Sequence, residues 1–293
     1  MADRMELEIV VGPRDEEIGS KLDEAPGWPG YARELREVFR VAIEASGVAT
    51  LQVSGLMVHE PLPDRLSWLR EGTSIPAAEA ADFYAETVGR GASPLFCLVS
   101  DVLRIELDWD GRVFLPTTQE VCDALDDLPE EYLEIGWRPR EPDPQPDGMV
   151  ESVADEEFWA QVRLAARHKL TLLCERWASG QCGTRWFLLT PENADGVIAA
   201  MEPGSLVSVA VDPELRVRLL DKGFTAFTAP LKAGALVYRE VPVGVEDDAE
   251  LAEVTGAGFD LFLSAAAQAE LYAVVPDADG AALRQWDDPK QFL

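Results

Sequence analysis

Histidine and cysteine, which carry much of the acid–base and covalent chemistry of proteins near neutral pH, are almost missing from this chain. Its 293 residues include two histidines, His59 and His168, and four cysteines, Cys97, Cys122, Cys174 and Cys182. With so little imidazole, general acid–base catalysis of the ordinary kind has few candidate groups. His168 falls beside Gln161 and Glu175 on the polar side of a helical pattern, and His59 precedes Glu60-Pro61 in a loop, so both read as surface residues. The cysteines are too sparse for a disulfide scaffold in a chain this long, and Cys97 and Cys122 sit in apolar segments as small core residues do. Four reduced thiols are expected.

Long apolar runs are missing as well. None reaches the ~18–20 residues that a membrane span needs, so no transmembrane helix is expected. The acidic, amphipathic start MADRMELEIVVG lacks the basic lead and apolar stretch of a signal peptide. The expected location is the cytoplasm.

Nucleotide signatures are missing too. There is no GxxxxGK[ST] loop and no GxGxxG after a strand. The cluster Thr255-Gly256-Ala257-Gly258-Phe259 lacks the third glycine. No GxSxG elbow is present. Gly180-Gln181-Cys182-Gly183-Thr184-Arg185-Trp186 is superficially similar to the cysteine segment of papain-like proteases. That family places its histidine well downstream, whereas both histidines here lie upstream, and the family is not carried over. Asp108-Trp109-Asp110-Gly111 and Asp277-Ala278-Asp279-Gly280 echo the start of a calcium loop. The position of the bidentate glutamate falls on Thr117 and Trp286, so both stretches read as hairpin turns. His168, Cys174 and Cys182 match no zinc spacing. No metal, cofactor or catalytic residue is expected.

Basic residues are the remaining scarcity: 25 against 54 acidic ones, a net charge of −29. Such a field repels nucleic-acid phosphate and anionic membrane, so direct binding to either is not expected. The acids are also clustered. Between Glu120 and Glu157 there are 14 acidic and 2 basic residues. Solubility alone is one account of that run; a surface for a basic protein is the other.

What is present organises around residues 95–137, which read as strand, turn, strand, short helix and strand. Residues 102–109 alternate at period two, Asp110-Gly111 supplies the turn, and Val113-Phe114-Leu115 returns. Thr117 or Thr118 caps a helix to about Leu128, and a strand follows over 132–137. Before this lie a strand at 6–11, a helix over 31–45, a strand at 48–54 and helical segments at 63–70 and 76–88. The four prolines of 138–148 end regular structure. The second half opens with a long helix pattern from Asp155 to Ala178, carrying Phe158, Val162, Ala166, Leu170, Leu173 and Trp177 on one face. A strand at 186–189 and a helix at 190–201 follow. Then come strands at 205–211, 214–220, 223–228 and 235–241, helices at 246–254 and 262–269, and a hairpin over 271–286.

The fold class read from this pattern is α+β: two packed subdomains with mostly antiparallel, hairpin-linked sheets and flanking helices. Residues 1–137 form the first, 138–150 a proline-rich acidic linker or loop, and 151–293 the second. The two Asp-x-Asp-Gly turns suggest a diverged duplication. The functional expectation is a non-enzymatic acidic binding protein for a basic protein partner, of the immunity-protein, antitoxin, nucleic-acid-mimic or adaptor type. The alternative is a carboxylate-based hydrolase or transferase with a cleft between the halves. The expected contact residues are Trp109, an aromatic anchor between Asp108 and Asp110, and the acids Asp126, Asp127, Glu130, Glu131 and Glu134.

Overall fold

A computed structural model describes residues 5–21, 24–88, 94–108, 111–126, 128–140, 150–216, 223–241, 248–264, 270–276 and 286. The chain divides into two compact units, Met1–Gln145 and Pro146–Leu293. Each combines helices with antiparallel sheets, an α+β architecture.

The first unit begins with β1 (Leu7–Pro13), α1 (Glu16–Lys21) and α2 (Trp28–Ser46). In α2, Tyr31, Leu35, Val38, Phe39 and Ala42 bury one stripe, and Pro29 suits the first turn. Gly47 ends it at φ 65°, a left-handed geometry that glycine adopts without strain. Next come β2 (Thr50–Met57), β3 (Ser74–Pro76), α3 (Ala77–Val88), β4 (Leu95–Val99), β5 (Arg104–Leu107), β6 (Val113–Thr117), α4 (Gln119–Leu125) and β7 (Leu133–Pro139). The strands form one seven-stranded antiparallel sheet in the order β3-β2-β4-β5-β6-β1-β7.

The register sorts this sheet into two faces. Ile9, Val11, Val53, Leu98, Ile105, Val113 and Leu115 share one face and are buried. The helices cover that side, and an edge-on aromatic run joins Phe39 of α2, Tyr84 of α3 and Phe96 of β4. The other face carries Glu8, Val10, Ser54, Val99, Arg104, Glu106 and Phe114, all half-exposed. Its charges are matched locally, Arg104 with Glu106 at 2.8 Å and Arg138 with Glu8 at 2.6 Å.

The second unit runs α5 (Glu156–His168), β8 (Thr171–Arg176), β9 (Thr184–Leu189), α6 (Ala194–Ala199), β10 (Leu206–Val211), β11 (Phe224–Thr228), β12 (Gly234–Ala235), β13 (Tyr238–Val241), α7 (Asp248–Gly256), β14 (Phe259–Ser264) and β15 (Leu271–Val274). These strands form a five-stranded sheet, β12-β9-β8-β10-β15, and a three-stranded sheet, β13-β11-β14. Three apolar layers stack them. Phe158, Trp159, Val162 and Ala166 of α5 pack with Leu173, Val207 and Val209 on one face of the larger sheet. Leu172, Cys174 and Trp186 on its other face meet Phe227 and Leu263 of the smaller sheet. Phe224, Ala226 and Phe262 then turn outward against Val254 of α7. Each fully buried large side chain contributes ~1.5–3 kcal/mol.

The two units share one run of elements. The run α2–β2–β3–α3–β4 and the run α5–β8–β9–α6–β10 each place their first strand between the next two, β3-β2-β4 and β9-β8-β10. The Asp277–Gly280 turn that suggested a diverged duplication in sequence lies outside the described residues.

Several local expectations are corrected. The helix expected over 155–178 stops at His168; Thr171–Arg176 is instead a strand at the centre of its sheet. Leu170 and Leu173 continued the helical spacing by accident, because a strand buried on both faces has no period of its own. Glu175 is accordingly in that strand and fully buried, not on a polar helix face; His168 is exposed as expected. The 63–70 segment contains only the single turn Asp64–Leu66, and the 190–201 helix shortens to Ala194–Ala199. Helix expected from 262 is strand Phe259–Ser264 as far as Ser264. Arg104–Leu107 is shorter than the strand expected at 102–109, since Ser100 Oγ accepts from Val102 N–H and Leu103 N–H and turns the chain there. Residues 214–216 are not strand, and 217–220 lie outside the described residues. Arg138 and Pro139, assigned to the linker, belong to β7.

Two predictions concern stability. The Glu175 carboxylate is 0% exposed, is ion-paired to Arg185, and accepts from Glu202 N–H at 2.6 Å and Ser205 O–H at 3.0 Å. Glu175→Ala should cost ~3–5 kcal/mol, because it strands several donors at once; urea denaturation measures it. The second is alkaline sensitivity. Burial pushes the Tyr238 phenol from 10.0 up to about 12 and the Cys174 thiol from 9.0 up to about 12. Both groups hold their protons longer folded than unfolded. Their contribution is therefore complete below pH 9 and lost as pH rises toward 12. Thermal midpoints should fall across that window, and Tyr238→Phe should start lower but fall less steeply.

Candidate functional site

The acidic residues between α4 and β7 are displayed on a turn that is fixed from beneath. The turn ends at Tyr132, whose ring lies on α2 where Gly30 leaves room; a Cβ on residue 30 would come within 2.6 Å of Tyr132 Cζ. Arg33 stands over the other part of that ring, 5.9 Å from its centre. One turn along the helix, Glu34 is 8% exposed and accepts two backbone hydrogen bonds, from Tyr132 N–H at 2.9 Å and Leu133 N–H at 3.2 Å. Arg14, just past the end of β1, completes the clamp. Its N–H donates to Tyr132 O, its Nε to Leu133 O at 2.8 Å, and its guanidinium pairs with Glu130 at 2.6 Å.

Above this clamp Asp126, Glu130, Glu131 and Glu134 are all exposed. The Arg14–Tyr132 bond sets the acidic segment beside a second one, Asp15-Glu16-Glu17, also exposed. Asp108 is half-buried at the start of the β5–β6 turn, where its N–H donates to Arg112 O at 2.8 Å. Gly12 lies opposite Glu134 in the ladder, with Arg112 and Glu134 on either side of it. The end of the sheet thus brings Asp108, Glu130 and Glu134 into one neighbourhood, interleaved with Arg14 and Arg112. Trp109, Asp110 and Asp127 lie outside the described residues.

Arg14, Arg112 and Glu34 were not among the expected residues. Glu34 had a legible signal, since it sits among Tyr31, Leu35 and Val38 on the apolar stripe of α2. Arg14 had none, because its partners lie more than a hundred residues away. The large exposed aromatics among the described residues are Trp137 on β7, 56% exposed, and Trp68, 49% exposed. Trp68 rests on Phe83 with 5.6 Å between ring centres and donates its Nε1–H to Arg65 O, so it is held in place.

A groove of about 460 Å³ lies between α2 and α3, floored by Ile43 and Ala81. Its rim charges are already matched: Arg40 bonds Glu37 and Glu44, and Arg36 stands 3.3 Å from Asp82. The hydrogen bond from Arg40 holds the Glu37 carboxyl below the usual range. A hydrogen bond from Thr118 does the same for Glu120. Lowered carboxyls are the reverse of what a general acid needs. Among the described residues no group of three or more His, Cys, Asp or Glu is placed to hold a metal ion. Among them also, no helix is long and apolar enough to cross a membrane.

Set against known proteins, the chain matches no family model, no curated relative and no solved structure.

The clamp makes a prediction. Glu34→Ala removes the acceptor for one buried and one half-buried N–H group, which should cost ~1–3 kcal/mol. Hydrogen exchange at Tyr132 and Leu133 should speed up more than in the α2 core around Phe39; equal protection in both places would show that Glu34 does not hold the turn.

Proposed function

We propose that this protein works by binding, presenting the acidic end of its first sheet to a basic segment of a protein partner. The observation that carries this reading is the exposure of Asp126, Glu130 and Glu131 beside a turn that Glu34 and Arg14 hold at Glu130, Tyr132 and Leu133. A charged surface that is already ordered loses little conformational entropy when it binds, so more of its electrostatic attraction appears as affinity and association rate. The adjacent Asp15-Glu16-Glu17 segment widens the same field. An inhibitor, an antitoxin-like partner or an adaptor would each use such a surface. The setting proposed is the cytoplasm, which suits four reduced thiols, three of them buried and Cys182 half-buried.

The test compares wild type with Asp126→Lys, Glu130→Lys and Glu131→Lys combined. Immobilised wild-type protein should retain a basic protein from native lysate at low salt and release it at high salt. The triple variant, with unchanged circular dichroism, should bind that isolated protein at least ~10-fold more weakly. Undiminished binding by a folded triple variant removes the acidic end as the contact.

A further inference from the structure

β7 closes one edge of the seven-stranded sheet, and Glu134, Gly136, Trp137, Arg138 and Pro139 on it are exposed. An open strand edge offers its backbone N–H and C=O groups to any strand of matching register. The ladder with β1 fixes which groups those are. Arg14 N–H donates to Tyr132 O, Arg140 N–H donates to Glu6 O, and between them Glu134, Gly136 and Arg138 stand opposite Gly12, Val10 and Glu8. Because bonding alternates along an antiparallel ladder, the even-numbered residues of β7 turn their backbone groups to β1. Leu133, Ile135, Trp137 and Pro139 turn theirs outward. Leu133 gives its N–H to Glu34 and its C=O to Arg14, so the edge is offered by Ile135, Trp137 and the Pro139 carbonyl.

We propose that the occupant of this edge is β7 of a second copy, antiparallel across a two-fold axis at Gly136. Outward groups must meet outward groups, so the axis passes through a residue and not between two. An axis at Glu134 or Arg138 sets like charges face to face. An axis at Ile135 leaves both charges without an opposite. An axis at Trp137 sets Pro139, which has no N–H, against Ile135 in the middle of the pairing. The axis at Gly136 sets Glu134 against Arg138 twice and Ile135 against Trp137 twice, and moves both prolines to the rim.

The side chains agree with this register. Glu134 and Arg138 fall at the non-hydrogen-bonded positions, where opposite side chains approach most closely. Arg138 is held by Glu8 through Nε and Nη2, and the remaining N–H groups of its guanidinium are donors for the glutamate of the second copy. Ile135 and Trp137 lie on the helix-covered face, in register with Val11 and Ile9. There the 56% exposed indole gains an apolar neighbour. Among the described residues a Cβ at Gly136 would meet nothing within 4 Å, so they leave the centre of the edge clear. The partner is therefore self-complementary, as a two-fold contact requires. This pairing stands independently of the acidic-end reading.

The test places a thiol on the axis. Gly136→Cys brings two sulfurs across a non-hydrogen-bonded pair, within disulfide reach. In a glutathione redox buffer it should form a covalent dimer at least ~10-fold faster than wild type, which controls for Cys182. Adding Glu134→Arg should slow the cross-link about tenfold, and adding Arg138→Glu to that pair should restore it, since a swap repairs a register and not a misfolded strand. Sedimentation of wild type should show a reversible dimer that strengthens as salt rises from a low value, because two chains of net charge −29 repel. The proposal is overturned by a cross-linking rate for Gly136→Cys no faster than wild type, by a charge swap that fails to restore it, or by a wild type that stays monomeric at every concentration and salt.

Discussion

The structure depends on buried carboxylates that bond to backbone N–H groups where the sheets become irregular. Glu34 holds the start of β7 through Tyr132 and Leu133. Glu71, 9% exposed, accepts from Gly55 N–H at 2.9 Å and Leu56 N–H at 2.7 Å. There β2 shifts register and Gly55 takes a left-handed φ of 63°. Glu175 ties β8 and β9 to the connection between α6 and β10. A carboxylate withdrawn from water is unfavourable unless several donors surround it. A bulge or a strand start supplies such donors, because its N–H groups have no ladder partner. Each glutamate and each irregular backbone segment therefore stabilises the other, and neither is tolerable alone.

That arrangement changes what the net charge means. A value of −29 invites the picture of a uniformly acidic shell. The fold instead sorts its acids into three situations. Some are internal ligands of the backbone; some are matched by arginine across the open face of the first sheet, as with Glu8 and Arg138. Others are exposed, among them Asp126, Glu131 and Glu134 at one end of that sheet, where Glu130 is paired with Arg14. The exposed acids act at a distance, and their effect falls away over a Debye length of ~8 Å at physiological salt.

The sequence made the fold class readable because its strongest signals are local. The stripe of α2, the alternation of β5 and the turn at Gly111 all follow from spacing and from one residue's backbone freedom. Where burial is two-sided the signal disappears. Thr171–Arg176 looked like more helix because every position but the last is buried, so no period marks it as strand. The candidate site was legible to the same extent. Its acids stood out as a run, but the residues that fix them did not. Arg14 reaches Glu130 across 116 positions and Glu34 reaches Tyr132 across 98, and pairing at that separation leaves no pattern in one chain. An aromatic on an exposed edge was similarly hidden. Trp137 sits in a strand pattern as good core residues do, and only its place at the end of the strand order exposes it.

Glu134 belongs to both proposed surfaces, which links the two proposals. Its carboxylate faces the acidic end in a single chain, and in the two-fold pairing it faces Arg138 of the second copy. A basic partner that engages Glu134 would compete with that arginine, and the coupling must be reciprocal: whatever factor the partner takes from self-association, self-association takes from partner binding. Salt acts on the two contacts in opposite directions, weakening attraction between unlike surfaces while easing repulsion between two equally charged chains. In the proposed pairing the pleat separates a charged part, Glu134 and Arg138 on one face, from an apolar part, Ile135 and Trp137 on the other. A substitution at Ile135 or Trp137 tests the pairing alone, whereas one at Glu134 touches both contacts at once.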